Sequence, residues 1–181
     1  MCCLILASTA WGRALYFGAL NGELANMRMN DFNGKEFLAA VRGKDYAHAG
    51  EETAIELLFQ NLPVDANRKI LDAGCGRGGT ADYVHRHGWG EVVGIDVEAK
   101  SIEYANETFP DSQVLACDIA DVGGTFPATF DLIYMFNAFY AVLDKAGAMI
   151  SLRDSAKSGA SLMVFDYITY KANVAPPDVL S

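Results

Sequence analysis

Four cysteines in 181 residues, Cys2, Cys3, Cys75 and Cys117, are too few for a disulfide framework and lack the paired spacing of a zinc site. A reducing cytoplasm is the expected setting, and no bound metal is expected. Positive charge is also scarce: fourteen Lys and Arg stand against twenty-three Asp and Glu, a formal charge of −9. A polyanion would meet that field unaided, so nucleic acid is not an expected partner. Long apolar runs are absent too. The opening MCCLILASTAW is too short to span a bilayer, no positive residue precedes it as in a secretory signal, and the glycine needed for myristoylation is missing, so no membrane partner is expected. There is no internal repeat and no low-complexity tract. What is present is 51% hydrophobic and 11% aromatic, enough for the core of one globular domain of this length.

The acidity is uneven, since residues 1–50 carry five basic and four acidic side chains and the excess of acid lies beyond them. The first fifty residues read as short helices broken by Gly12, Gly18, Gly22, Gly34 and Gly43. From Glu51 the rhythm tightens. EETAIELLFQNL sets Ile55, Leu58, Phe59 and Leu62 at helical spacing before Pro63. KILDAG reads as a first strand, TADYVHRHG as a helix, EVVGID as a second strand, EAKSIEYANETF as a helix and QVLACD as a third strand. A loop containing Gly123, Gly124 and Pro127 follows, then FDLIYMF as a fourth strand, a helix near Lys145 to Lys157, and ASLMVFDYI as a fifth strand. Alternation at these intervals indicates parallel βαβ units, with a tail containing Pro176 and Pro177 after them.

ILDAGCGRGGT follows a strand and opens a helix, and its glycines at 74, 76 and 79 match the dinucleotide pattern. Asp96 ends the next strand, where a carboxylate can accept hydrogen bonds from both ribose hydroxyls of a nucleoside. A nicotinamide or flavin cofactor would satisfy these two features equally. Three others separate the readings. Asp72 stands ahead of the glycines, where a pyrophosphate would meet negative charge and a cationic amino group would be welcome. Asp118 ends the third strand, placed to accept a proton from an exocyclic amine. The fourth strand ends in FNAFY, with Asn137 among aromatics. Each has a plainer alternative: a tight turn for the glycines, helix caps for Asp96 and Asp118, and a structural acceptor for Asp72. Cys75 reads as a small packing residue, since no base or metal partner is placed beside it. His85 and His87 read as exposed or capping residues, and Asp166 and Tyr167 as pocket or core residues.

Together, ILDAGCGRGG, GIDVEAKSIEYA, CDIADV and FDLIYMFNAFY, in that order, resemble the motifs of S-adenosylmethionine-dependent methyltransferases of the Rossmann-like class, over roughly residues 45–170. The resemblance implies an α/β fold, a three-layer, doubly wound, mostly parallel sheet, here lacking the last strands. It divides the chain into an N-terminal helical cap segment (1–50) and a C-terminally short cofactor-binding domain (51–181). It implies S-adenosylmethionine as cofactor, held by Asp72, Ala73, Gly74, Cys75, Gly76, Gly78, Asp96, Val97, Cys117, Asp118, Ile119 and Asn137. The small-molecule members, acting on phosphoethanolamine, sarcosine or similar amines, are the most similar. By that likeness Tyr46, His48, Phe139 and Tyr140 would meet a small-molecule methyl acceptor.

The sulfonium methyl of that cofactor is already activated, so the protein has mainly to hold acceptor and methyl in line and exclude water. No catalytic side chain is assigned, and His48 is the candidate base where an acceptor arrives protonated. Aromatic faces at Tyr46, Phe136, Phe139 and Tyr140 would favour a cation by roughly 0.5–2 kcal/mol. In the resembled family a helix and an antiparallel strand pair follow the fifth strand, and residues 170–181 are too few for them. An apolar fifth strand with an unpaired edge is expected to favour self-association into a homo-oligomer. Two other functions remain open: a cofactor-binding module without turnover, and an NAD-dependent oxidoreductase, which Asp72 and Asp118 disfavour.

Overall fold

The computed structural model describes residues 31–167. The apolar opening with Cys2 and Cys3, the glycines at 12, 18 and 22, and the tail with Pro176 and Pro177 lie outside them. Helices α1 (Phe32–Arg42) and α2 (Glu51–Phe59) precede an alternation of β1 (Lys69–Ala73), α3 (Gly79–Arg86), β2 (Glu91–Asp96), α4 (Ala99–Thr108), β3 (Gln113–Ala116), α5 (Val122–Thr125), β4 (Phe130–Phe136), α6 (Lys145–Ser155) and β5 (Ala156–Phe165). The five strands form one parallel sheet in the order β3-β2-β1-β4-β5. Strand order reverses between β1 and β4, and the carboxyl ends of those strands open a crevice of the kind that takes ligands in doubly wound sheets.

Local chemistry explains the element boundaries. The Asp31 carboxylate accepts from Gly34 N–H at 2.8 Å at the start of α1, and Gly43 ends the helix in the left-handed region at φ 69°. Gly34 therefore lies inside α1 and does not break it. Glu98 caps α4 by accepting from Ser101 N–H at 2.7 Å, and Asp144 caps α6 by accepting from Gly147 N–H at 2.9 Å. The stretch around Gly123 and Gly124, expected as a loop, forms a 3-10 turn (Ile119–Asp121) and the short helix α5 instead, because Ile119 and Val122 are buried in the core. β5 begins four residues ahead of ASLMVFDYI, so Lys157 lies in it and not in α6. The extra residues are taken up by a register shift opposite Phe130 and Leu132.

Period-two alternation splits the core into two layers. Ile70, Leu132, Tyr134 and Phe136 pack with Ile55 and Phe59 of α2 and Val84 of α3 on one face. Leu71, Ala73, Ile133 and Met135 pack with Ala148 and Leu152 of α6 on the other. The result is helix, sheet, helix, as the sequence reading expects. Among the described residues β5 pairs on one side only, with Leu162 and Val164 exposed. No described helix is long and apolar enough to cross a membrane.

Candidate functional site

The crevice at the carboxyl ends of β1, β2 and β4 is a cavity of about 540 Å³. Three loops and α1 build it. The first loop, after β1, turns back on itself through Gly74, Gly76 and Gly78, at φ 90°, 53° and 83°. Gly74 N–H and Cys75 N–H both donate to Ile95 O, at 2.8 and 2.9 Å, which pins the loop to β2. At Gly74 a Cβ would stand 2.5 Å from the Ala138 Cβ, so this loop and the turn after β4 approach each other too closely for a side chain there.

Two carboxylates flank the loop. Asp72 is 2% exposed, and Tyr134 O–H donates to its Oδ2 at 3.0 Å. Burial pushes its carboxyl up to about 7, against the opposing Tyr134 hydrogen bond and with help from the Asp96 charge. The folded protein therefore holds a proton that the unfolded chain releases near the ordinary carboxylate range. Stability conferred by that proton is full below that range and is lost as pH rises through about 7. Asp72→Asn should gain stability over wild type by on the order of 2–3 kcal/mol between pH 5 and pH 8. Urea unfolding at both pH values checks this, and an unchanged difference would refute the buried titration. His48, which titrates in the opposite sense, is common to both proteins and cancels.

Asp96 closes β2 with both oxygens engaged: Lys35 Nζ donates to them at 3.0 and 2.9 Å, Glu98 N–H to Oδ1 at 2.9 Å and Gly76 N–H to Oδ2 at 2.8 Å. Asp118 is exposed on the rim, where its Oδ1 caps the 3-10 turn by accepting from Ala120 N–H at 2.9 Å. Val97, Cys117 and Ile119 complete that end of the wall. The opposite end is aromatic. His48 stacks on Phe136 with ring centroids 4.4 Å apart, and Tyr140 meets Tyr167 edge to face at 5.8 Å. His48 Nδ1 lies 3.3 Å from Ala49 O, an obligate acceptor, so Nδ1 carries the proton and Nε2 accepts from Thr80 O–H at 3.1 Å. Burial drives the His48 imidazole down to about 4, so it is neutral at physiological pH. Asn137 turns the chain after β4 in the left-handed region at φ 47°, with its Nδ2 donating to Tyr167 Oη at 3.1 Å.

Most of the residues singled out from sequence line this cavity: Asp72, Gly74, Cys75, Gly76, Asp96, Val97, Cys117, Asp118, Ile119, Asn137, His48 and Tyr140. Four do not. Ala73 points to the opposite face from Asp72 and is fully buried in the α6-side core. Gly78 caps α3, and its missing Cβ lets α4 approach, with the Ala105 Cβ 2.9 Å from where one would stand. Tyr46 is buried against Tyr83, and its O–H donates to Glu52 at 3.3 Å. Phe139 packs beside the α6-side core with the Lys145 ammonium 5.5 Å from its ring. Lys35, Arg42, Asp45, Arg77 and Thr80 also line the cavity and were not singled out. Arg77 stands inside GCGRGG, which is the signal that could have found it. Lys35 has no local signal, being 61 residues from its partner Asp96.

A parallel 3-2-1-4-5 sheet with a glycine loop after β1 and an acid closing β2 defines a nucleotide-cofactor-binding α/β domain of the doubly wound class. Residues 70–159 match the family model described as a methyltransferase domain. With the sheet order above, that match makes the segment similar to the class I, Rossmann-like S-adenosylmethionine-dependent methyltransferases. The chain is 29% identical over 130 residues to phosphoethanolamine N-methyltransferase 1 of Zea mays, covering 70% of this chain and 26% of that one. It is 30% identical over 112 residues to trans-aconitate 2-methyltransferase of Rhodopseudomonas palustris, covering 61% and 43%. A solved structure similar in fold is Haemonchus contortus phosphoethanolamine N-methyltransferase 2 in complex with S-adenosyl-L-methionine. Its TM-score is 0.67 at 17% identity, with 75% of this chain and 33% of that chain covered. The chain spans 26% to 46% of the length of such curated relatives.

Proposed function

We propose that the chain binds S-adenosylmethionine and transfers its methyl group to a small-molecule acceptor, an amine in particular. The observation that carries this is the convergence of two carboxylates and a tightly turned glycine loop on one side of the cavity, with a neutral aromatic wall on the other. The residues fit the cofactor. The side-chain-free backbone at Gly74 and Gly76 leaves room for its amino-acid part, and the Asp72 carboxyl suits the ammonium of that part. Asp96 suits the ribose hydroxyls, and Asp118, with Val97 and Ile119 beside it, suits an adenine. A cationic amino group would draw Asp72 into its charged form and gain from it, whereas a pyrophosphate would keep it protonated and gain nothing, which disfavours a dinucleotide.

When bound, the cofactor supplies a methyl group activated on a sulfonium. His48, Phe136, Asn137 and Tyr140 line the acceptor end: aromatic faces for a small amine, an amide for a polar hydrogen, and a neutral imidazole that adds no charge to repel it. Lys35, Leu38 and Arg42 of α1 line the cavity, which supports reading residues 1–50 as a cap segment. Free Cys75 and Cys117 support a reducing, cytoplasmic setting.

Incubation with methyl-labelled S-adenosylmethionine and a metabolite panel, read by mass spectrometry, tests the reading. The expected result is label on a small amine, lost in Asn137→Ala. Label on none of the panel, with cofactor bound, would leave a binding module and refute the transferase.

A further inference from the structure

A vicinal diol is recognised by a carboxylate when each hydroxyl donates to a free acceptor position. Asp96 has little left to offer. Its two backbone bonds, from Gly76 of the glycine loop and from Glu98 two residues on, fix the carboxylate in place. The remaining positions face the Lys35 ammonium, which donates to both oxygens. This pair is buried, the two side chains being 9% and 8% exposed. The lysine stem lies along the glycine loop, its Cδ 3.6 Å from where a Cβ on Gly76 would stand. Lys35 thus covers the acid and the loop together.

We propose that Lys35 is an internal competitor of the cofactor. Helix α1 docks with its lysine where the ribose hydroxyls would bind, and cofactor binding requires Lys35 to leave Asp96. The inference rests on reading Asp96 as the ribose carboxylate. A second anchor holds the helix beside the site. The Arg77 guanidinium lies 3.6 Å from the Tyr104 ring and 5.4 Å from the Phe32 ring of α1, and pairs with Asp45 at 3.0 Å. Its Nη1 is buried without a hydrogen bond, 4.0 Å from Glu36 of α1. Whatever loosens α1 should therefore raise cofactor affinity, because the ligand no longer works against the docked form.

Calorimetric titration of the full chain with S-adenosylhomocysteine and with adenosine tests this; adenosine has the same ribose and no carboxylate. Lys35→Met keeps the apolar stem and removes the charge, and should bind both ligands tighter, by about 5- to 150-fold. Phe32→Ala, which weakens the second anchor and leaves Lys35 in place, should bind both tighter by a smaller factor. Unchanged affinity in Lys35→Met overturns the proposal. So does weaker S-adenosylhomocysteine binding with adenosine unaffected, which would make Lys35 a contact for the amino-acid end. If Asp96→Asn abolishes binding while Lys35→Met changes nothing, the ribose reading stands and the competitor alone falls. If no protein binds either ligand, both fall.

A readout on the unaltered chain removes dependence on the variants' folding. Acylation of Lys35 by an amine-reactive reagent, followed by peptide mass spectrometry, should be slow in the cofactor-free protein and accelerate when S-adenosylhomocysteine saturates. Equal or stronger protection in the complex would overturn the release of Lys35.

Discussion

Gly74→Ala is expected to destabilise the fold severely and to abolish cofactor binding. Two costs combine. An alanine at φ 90° lies outside the conformations L-residues adopt readily, a strain of about 1–3 kcal/mol. Its Cβ would stand 2.5 Å from the Ala138 Cβ, an overpacking of roughly another 1–3 kcal/mol unless the loop and the turn after β4 separate. That separation would pull Gly74 and Cys75 from Ile95 O and deform the cradle. Gly124→Ala is the control, since an added Cβ there meets nothing within 4 Å. Urea unfolding should show the loss in the first variant and about 0.5 kcal/mol or less in the second. Wild-type stability in Gly74→Ala would contradict the loop geometry.

Asp96→Asn should have an effect of similar size through electrostatics. It removes one partner of a buried ion pair and leaves the Lys35 ammonium facing a neutral amide, a loss of about 3–5 kcal/mol. The amide also cannot accept from Gly76 N–H, Glu98 N–H and a diol together, so affinity for a ribose-bearing ligand should fall with stability. The double variant Asp96→Asn with Lys35→Met should recover much of the stability, because the orphaned cation is gone, and none of the affinity. Stability recovered along with affinity would place ribose recognition elsewhere.

The α/β alternation was legible because its signals are local. The acid closing β2 at Asp96, Asp72 ahead of the glycine spacing at 74 and 76, and helical periodicity from Glu51 each need fewer than a dozen residues to be read, and the fold places them as that spacing implies; Asp118, expected to end the third strand, instead stands two residues past β3 and caps the 3-10 turn. What failed depended on contacts distant in sequence or on strand parity. Ala73 was counted with its neighbours although alternation sends it into the core. Tyr46 and His48 are two residues apart, yet Tyr83 and Glu52 bury the first while Thr80 and Phe136 draw the second to the cavity. The two adjacent glycines at 123 and 124 suggest a loop, and the burial of Val122 overrides them. Lys35 was invisible because its meaning comes wholly from Asp96, at the end of β2 and beyond the intervening α2, β1 and α3.

The central claim is that the Asp72, Gly74 and Asp96 cradle holds S-adenosylmethionine rather than a dinucleotide. Thermal melting of the full chain with S-adenosylhomocysteine or NAD, each at a hundred times the dissociation constant found by titration or at the solubility limit, tests it most directly. S-adenosylhomocysteine should stabilise wild type by about 2.7 kcal/mol and leave Asp96→Asn unmoved, with no shift from NAD. A shift with NAD and none with S-adenosylhomocysteine would contradict it.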